Sequence, residues 1–158
     1  MNAFTKMVTS PHALETVREI NQQPAAWGET SARVGAMGEQ VRAFLHRPPD
    51  ARCRTVILTG AGSSEYVGRS IEGALRRRLD AEVITVPTTH FLTHCDSVFL
   101  PARDYLLVSF ARSGDSPESV ATFRRVAEQF PRVKQAVITC NRDGSLARLA
   151  AESRDSLC

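Results

Sequence analysis

The sequence has few cysteines, and none of them is paired at the spacing of a metal site or a redox motif. The four cysteines are spread along the chain, at Cys53, Cys95, Cys140 and Cys158, with no Cys-X-X-Cys pair among them. Such isolated thiols are typical of reduced cytoplasmic proteins, and Cys140 is predicted to act as a small apolar residue at the end of a buried strand. The pattern predicts a cytoplasmic protein with no metal and no other cofactor.

Long apolar runs and blocks of one charge are also missing. No run is long enough to span a bilayer, and the first residues lack the apolar core of a signal peptide. The net charge is only +3, and the one basic run, residues 76–78, ends a predicted helix, where cations face the negative end of the dipole. Membrane and nucleic-acid partners are therefore not expected. The length of 158 residues and the 42% hydrophobic content predict a soluble domain with a substantial core.

Residues 1–47 predict a helical segment ahead of the main domain. Ser10 is predicted to cap a first helix that begins at Pro11, and Pro24 is predicted to begin a second helix. Apolar side chains recur at heptad spacing in the second helix, at Trp27, Val34, Met37, Val41 and Phe44. This stripe either packs on the following domain or binds a partner subunit. Because it leaves apolar surface uncovered, we expect a homo-oligomer.

A linker at residues 48–50 separates this segment from the predicted domain at 51–158. Four short, β-branched apolar runs predict buried strands at residues 55–59, 83–86, 105–108 and 136–139. Helical patterns alternate with them at residues 66–79, 117–129 and 145–151, with a shorter one around 91–95. This alternation predicts an α/β three-layer sandwich with a parallel sheet, of the flavodoxin or Rossmann kind. Residues 156–158 resemble the start of another strand, so we expect the N-terminal part of a longer protein.

Ligands of open parallel sheets bind beyond the carboxyl ends of the strands, and the loop at residues 60–65 (GAGSSE) follows the first strand. Its glycines permit a tight turn, and the N–H groups of the following helix favour an anion. A dinucleotide is disfavoured because Glu65 replaces the third glycine of that motif, and because the second strand ends in Pro87 without an acidic residue. The adjacent hydroxyls of Ser63 and Ser64 suit a monophosphate better.

The loop at residues 109–119 (SFARSGDSPES) follows the third strand and offers further hydroxyl and N–H groups. In an alternative interpretation, Ser116 only caps the next helix, with Pro117 at the first helical position. Two serine-rich loops at the same sheet edge favour a shared phosphate site instead. Its candidate ligands are Gly62, Ser63, Ser64, Arg112, Ser113, Gly114 and Ser116.

These loops resemble the SIS (sugar isomerase) domain family, whose pattern pairs a small-residue loop after the first strand with a later S-G-x-[ST] loop. Further motifs resemble the tagatose-6-phosphate ketose/aldose isomerase, or galactosamine-6-phosphate deaminase, branch of that family. They are EINQQP at 19–24, VPTT at 86–89, LVSFARSG at 107–114, SPES at 116–119 and VITCNRDG at 137–144. The domain resemblance runs from residue 54 to the C-terminus. It implies that Ser63, Ser64, Ser113 and Ser116 hold a sugar phosphate, and that the whole protein carries two such domains.

The resemblance implies binding and isomerisation or deamination of a sugar or aminosugar 6-phosphate, such as galactosamine 6-phosphate to tagatose 6-phosphate. The acid and base of such enzymes usually come from later in the chain, so none of His90, His94, Glu65 and Glu118 is assigned a catalytic role. One alternative is a regulatory SIS module that binds a phosphosugar without chemistry. The lack of a basic recognition helix ahead of the domain speaks against it. Another alternative is a structural fragment that only dimerises.

Overall fold

A computed structural model describes residues 11–46, 54–79, 81–100, 103–153 and 155–158 of the chain. The chain divides into two units, Met1–His46 and Arg47–Cys158. The helix cap predicted at Ser10, the linker predicted at 48–50 and the thiol of Cys53 lie outside the described residues.

The first unit contains helix α1, Pro11–Ala36, and helix α2, Gly38–Leu45. The predicted start of a helix at Pro24 is wrong, because α1 runs straight through this residue. Proline has no N–H to donate to the carbonyl of Ile20, but Ile20 is 53% exposed, so water can take the place of that donor. The helical path is interrupted at Met37 instead, where ψ rises to 3° ahead of the weak helix former Gly38. No helix among the described ranges combines the length and apolar composition that a membrane crossing requires.

The second unit is built on a five-stranded sheet. Its strands are β1 (Arg54–Gly60), β2 (Glu82–Thr85), β3 (Asp104–Ala111), β4 (Lys134–Thr139) and β5 (Ser156–Leu157). Their order in the sheet is β2-β1-β3-β4-β5, and every neighbouring pair is parallel. The predicted α/β fold with a parallel sheet is confirmed. Sequence could give this result because β1 to β4 each contain a short run of β-branched and aliphatic residues.

Four helices connect these strands. They are α3 (Ser63–Leu79), α4 (Thr88–Val98), α5 (Pro117–Gln129) and α6 (Ser145–Glu152). Helix α4 is longer than the segment predicted around 91–95 and has a kink at His94, where φ is −136°.

The main core lies between one face of the sheet and helices α4 and α5. Ile57 and Leu107 project from β1 and β3 into this core, where they meet Phe91 of α4 and Val126 of α5, and all four are fully buried. Side chains alternate between the faces of a strand, so Leu58 points to the opposite face, where α3 packs. A Cβ on Gly68 of α3 would come within 2.9 Å of the Leu58 Cβ. The tight fit of α3 on β1 therefore depends on a glycine.

Strand β4 departs from the expectation of full burial. Ile138 is 56% exposed, and Cys140, predicted to end a buried strand, is exposed and lies after the end of β4. Ile138 pairs in register with Phe110 and so lies on the face that α3 covers over β1, β2 and β3. Helix α6 covers the other face of β4, through Val137. The apolar sequence of β4 predicts the strand but not which neighbour covers each face.

Candidate functional site

The loop after β1 is closed by two glycines with different roles. A Cβ on Gly60 would lie 2.5 Å from the carbonyl carbon of Ser64, so no larger residue fits there. Gly62 has a φ of +55°, in the left-handed region that glycine adopts without strain. Hydrogen bonds from Ser64 N to Ala61 O and from Glu65 N to Gly62 O, 3.2 and 3.1 Å long, complete the turn. The turn places Ser63 and Ser64 in the first turn of α3.

The loop after β3 leads into α5 through a second left-handed glycine, Gly114, with a φ of +75°. The N–H of Asp115 donates to the hydroxyl oxygen of Ser113 over 3.3 Å, so the Ser113 O–H can donate to a ligand. Ser116 and Pro117 occupy the N-cap and the start of α5, as predicted, but the Ser116 hydroxyl makes no capping hydrogen bond. Capping therefore does not account for this hydroxyl.

The two loops face each other because β1 and β3 are neighbours, with Gly60 in register with Phe110. Between them lies a cleft of about 190 Å³, smaller than the roughly 300–1,000 Å³ of sites for drug-sized ligands. It is lined by Ala61, Ser63, Ser64, Phe110, Ala111, Arg112, Ser113, Gly114, Ser116 and Ser119. Of the seven residues proposed from sequence, all but Gly62 line this one cleft, and Gly62 shapes its first loop. Phosphate binding by these residues stays a prediction.

The electrostatics of the cleft favour an anion. Helices α3 and α5 begin at it, and the N-terminus of a helix carries a partial positive charge. Among the lining residues that the structure describes, Arg112 alone is charged. Asp115 belongs to the second loop, but its carboxylate accepts hydrogen bonds from the N–H and the hydroxyl of Ser145, at 2.9 and 2.7 Å. The bond from the Ser145 N–H and, to a smaller extent, the bond from its hydroxyl hold the pKa of Asp115 below its ordinary value.

Ser119 is a lining residue that is not among the seven candidate ligands proposed from sequence. It is 3% exposed and shares a 2.7 Å hydrogen bond with the hydroxyl of Ser116. Residues three apart lie on the same face of a helix, so the spacing of Ser116 and Ser119 was the available signal. A hydroxyl has one proton and two acceptor sites. In the structure Ser116 donates this bond to Ser119. The Ser116 hydroxyl can donate to a ligand once the two hydroxyls rotate so that Ser119 becomes the donor.

His90 and His94, which were assigned no catalytic role from sequence, lie outside the lining of the cleft. Their rings stack with centroids 5.2 Å apart. Across the described parts of the chain, no group of three or more histidine, cysteine, aspartate or glutamate side chains could hold a metal ion. The described residues that line the cleft therefore offer hydrogen-bond donors and positive potential but no carboxylate or imidazole to act as a base.

No protein-family model matches the chain, but individual proteins do. Over 136 residues it is 45% identical to a Streptomyces coelicolor protein whose name gives D-galactosamine-6-phosphate deaminase as a provisional assignment, a match covering 86% of this chain and 35% of that protein. It is 36% identical to the D-galactosamine-6-phosphate deaminase of Escherichia coli O157:H7, with 87% of this chain and 36% of that protein covered.

A similar likeness is found among solved structures. The crystal structure of tagatose-6-phosphate ketose/aldose isomerase from Escherichia coli superimposes with a TM-score of 0.82 and 34% sequence identity, covering 89% of this chain and 38% of that one. The chain thus spans about a third of the length of the curated relatives that it matches. These matches confirm the family resemblance predicted from the loop motifs.

Proposed function

With this relationship to tagatose-6-phosphate isomerases and galactosamine-6-phosphate deaminases as the premise, we propose that the cleft binds the phosphate of a sugar or aminosugar 6-phosphate. The observation that carries the proposal is the convergence of two serine-rich loops, each at the N-terminus of a helix, on one cleft. Neither loop alone would distinguish a ligand site from ordinary helix capping.

The donors in the cleft are sufficient for micromolar affinity. A hydrogen bond to a charged group contributes about 1.5–3 kcal/mol, and micromolar binding requires about 8 kcal/mol, so about three to six donors suffice. Ser63, Ser64, Ser113 and Ser116 supply hydroxyls, and the first turns of α3 and α5 supply N–H groups. The small volume of the cleft suits the phosphate end of the ligand.

We propose that the whole protein is an enzyme that isomerises or deaminates this ligand, for example galactosamine 6-phosphate to tagatose 6-phosphate. Both reactions move a proton between adjacent sugar carbons and need a general base and a general acid. The residues that line the cleft hold the phosphate and supply neither group. We place the reaction in the cytoplasm, where free thiols such as that of Cys95 stay reduced.

The binding proposal is tested by titrating galactosamine 6-phosphate, tagatose 6-phosphate and unphosphorylated galactosamine into the chain in a calorimeter. We expect only the phosphorylated sugars to bind. Ser113→Ala should weaken their binding about tenfold to a hundredfold, because it removes one charge-assisted hydrogen bond. Ser97→Ala is the matched control, since the only partner of this exposed hydroxyl among the described residues is the carbonyl of His94 in the preceding turn.

Two results would count against the proposal. One is equal affinity for phosphorylated and unphosphorylated sugar. The other is an equal effect of Ser113→Ala and Ser97→Ala, which would show that the cleft is not the binding site.

We also propose that the protein self-associates through the apolar stripe of the first unit, defined by Trp27, Val34, Met37, Val41 and Phe44. Trp27 is 66% exposed and Val34 is 59% exposed. Two large apolar side chains one heptad apart on α1 are a surface that a partner helix can cover.

A further inference from the structure

The loop after β3 is hydrogen-bonded to residues 139–146, which comprise the end of β4, the following turn and the start of α6. Three consecutive carbonyls of this loop, those of Arg112, Ser113 and Gly114, each accept a hydrogen bond from that segment. The donors are Thr139 Oγ1 at 3.4 Å, Asn141 Nδ2 at 3.0 Å and Leu146 N at 3.0 Å, respectively. These three bonds tie the loop to a second part of the chain.

The direction of these carbonyls fixes the direction of the N–H groups. The peptide unit is planar and trans, so a C=O that points to one side places the N–H of the next residue on the other side. In the sheet, β3 lies between β4 and β1. Carbonyls drawn toward the β4 side therefore turn the N–H groups of Ser113 and Gly114 toward the β1 side, where the cleft lies. Neither N–H donates to any group in the part of the chain that the structure describes.

Asn141 is itself fixed at both ends. Its Oδ1 accepts a hydrogen bond from the N–H of Asp143 at 3.1 Å, and its own N–H donates to Thr139 Oγ1 at 3.2 Å. A Cβ on Gly144 would lie 2.4 Å from the Ser113 carbonyl oxygen, so the segment approaches the loop as closely as a glycine allows. The side-chain amide is thus held in place to point Nδ2 at the Ser113 carbonyl.

We propose that Asn141 is a positioning residue, which orients the peptide between Ser113 and Gly114 so that the Gly114 N–H is presented to the phosphate. The inference rests on the proposed function of the cleft. Asn141 does not line the cleft and acts through the Ser113 carbonyl alone. A second tie, from Ser145 to the Asp115 carboxylate, holds the same loop one residue further on.

The test compares Asn141→Ala with Arg142→Ala, using inorganic phosphate as the probe. Arg142 is the neighbouring residue and is exposed, and its one ion pair within the described ranges is with Asp143 over 3.9 Å. Its removal therefore changes the charge of the turn and leaves the bonds to the loop after β3 in place. Binding is followed by calorimetry and by the amide resonances of Ser113 and Gly114 in nuclear magnetic resonance spectra. Asn141→Asp is the second variant if Asn141→Ala does not fold, because it keeps the acceptor for the Asp143 N–H and removes the Nδ2 donor. It also adds one negative charge, and Arg142→Ala, which changes the net charge by the same amount, is its control.

We expect Asn141→Ala to weaken phosphate binding about three- to tenfold, the value of one neutral hydrogen bond, and Arg142→Ala to weaken it by less than about twofold. The Gly114 amide should shift on phosphate addition in the wild type and shift less at saturation in the Asn141 variant. A purely structural role would lower the thermal midpoint without changing this amide signature.

Wild-type affinity and an unchanged Gly114 shift in the Asn141 variant would overturn the inference and leave the proposed function standing. Equal losses in Asn141→Ala and Arg142→Ala would overturn it as well, because charge would then explain the effect. If the wild-type chain binds neither phosphate nor a phosphosugar, the proposed function fails first and the inference with it.

Discussion

Replacing Gly60 by alanine tests whether the turn after β1 is built as described. The new Cβ would lie 2.5 Å from the Ser64 carbonyl carbon and 2.7 Å from the Glu65 nitrogen. Both are backbone atoms and cannot rotate away, so the first turn of α3 must move until these separations reach about 3.4 Å, where ordinary contact begins. Such overpacking costs about 1–3 kcal/mol, which lowers the thermal midpoint by roughly 3–10 °C in a chain of this size.

The same movement displaces Ser63 and Ser64, so we expect phosphosugar binding to weaken at least about tenfold, as if one charge-assisted hydrogen bond were lost. Gly62→Ala is the informative comparison, because nothing lies within 4 Å of its Cβ position. Its cost is limited to the left-handed conformation, about 1–2 kcal/mol, and it should spare more of the affinity. Gly28→Ala, in the open interior of α1, should if anything stabilise the chain. Thermal unfolding and calorimetry of the three variants decide the matter, and a Gly60→Ala protein with wild-type midpoint and affinity would refute the reasoning.

Two further predictions concern pH and assembly. Phosphosugar affinity should fall as the pH drops from about 7.5 to 5, because a phosphate monoester gains a proton near pH 6 and the described residues that line the cleft include no histidine, aspartate or glutamate. Calorimetry at both pH values checks this, and a flat profile would contradict it. Asp115 should not add to this dependence. Its pKa is lowered below the ordinary value of about 3.9, so it stays ionised and keeps its bonds to Ser145 throughout this pH range. Trp27→Ala combined with Val34→Ser should shift the chain toward monomer in sedimentation experiments, since both side chains are exposed, and an unchanged sedimentation coefficient would argue against the stripe as an interface.

The fold could be read from sequence because local and long-range preferences agree in the second unit. Each strand is a short aliphatic run, and the strand-to-helix alternation allows a parallel sheet. Helix α5 has the predicted bounds, Pro117–Gln129, because a proline opens it and the apolar periodicity ends with it. The error at Pro24 has the opposite cause. Proline is a strong stop signal in sequence, but an exposed helix loses only one hydrogen bond to it and can continue.

The candidate site was partly predictable for a related reason. Residues in the strand-to-helix loops could be assigned from the rule that ligands bind at the carboxyl edge of the sheet. Asn141 could not, because its role depends on a contact made in three dimensions, and Ser119 was signalled only by its three-residue spacing from Ser116. Ser119 is drawn into the cleft by Ser116, and Asn141 reaches the loop after β3 from a segment 28 residues further along. The exposure of Ile138 was missed because an apolar run does not reveal which of its faces a helix covers.

We expect the two serine-rich loops to hold one phosphate group together. The most direct test is to follow the backbone amide resonances of the chain while galactosamine 6-phosphate is added, with galactosamine as the unphosphorylated control. The backbone amide resonances of four residues should shift strongly on addition of galactosamine 6-phosphate and saturate with a single affinity: Ser63, Ser64, Ser113 and Gly114. Galactosamine should shift none of them. Shifts confined to one loop, or the same shifts with the unphosphorylated sugar, would contradict this expectation.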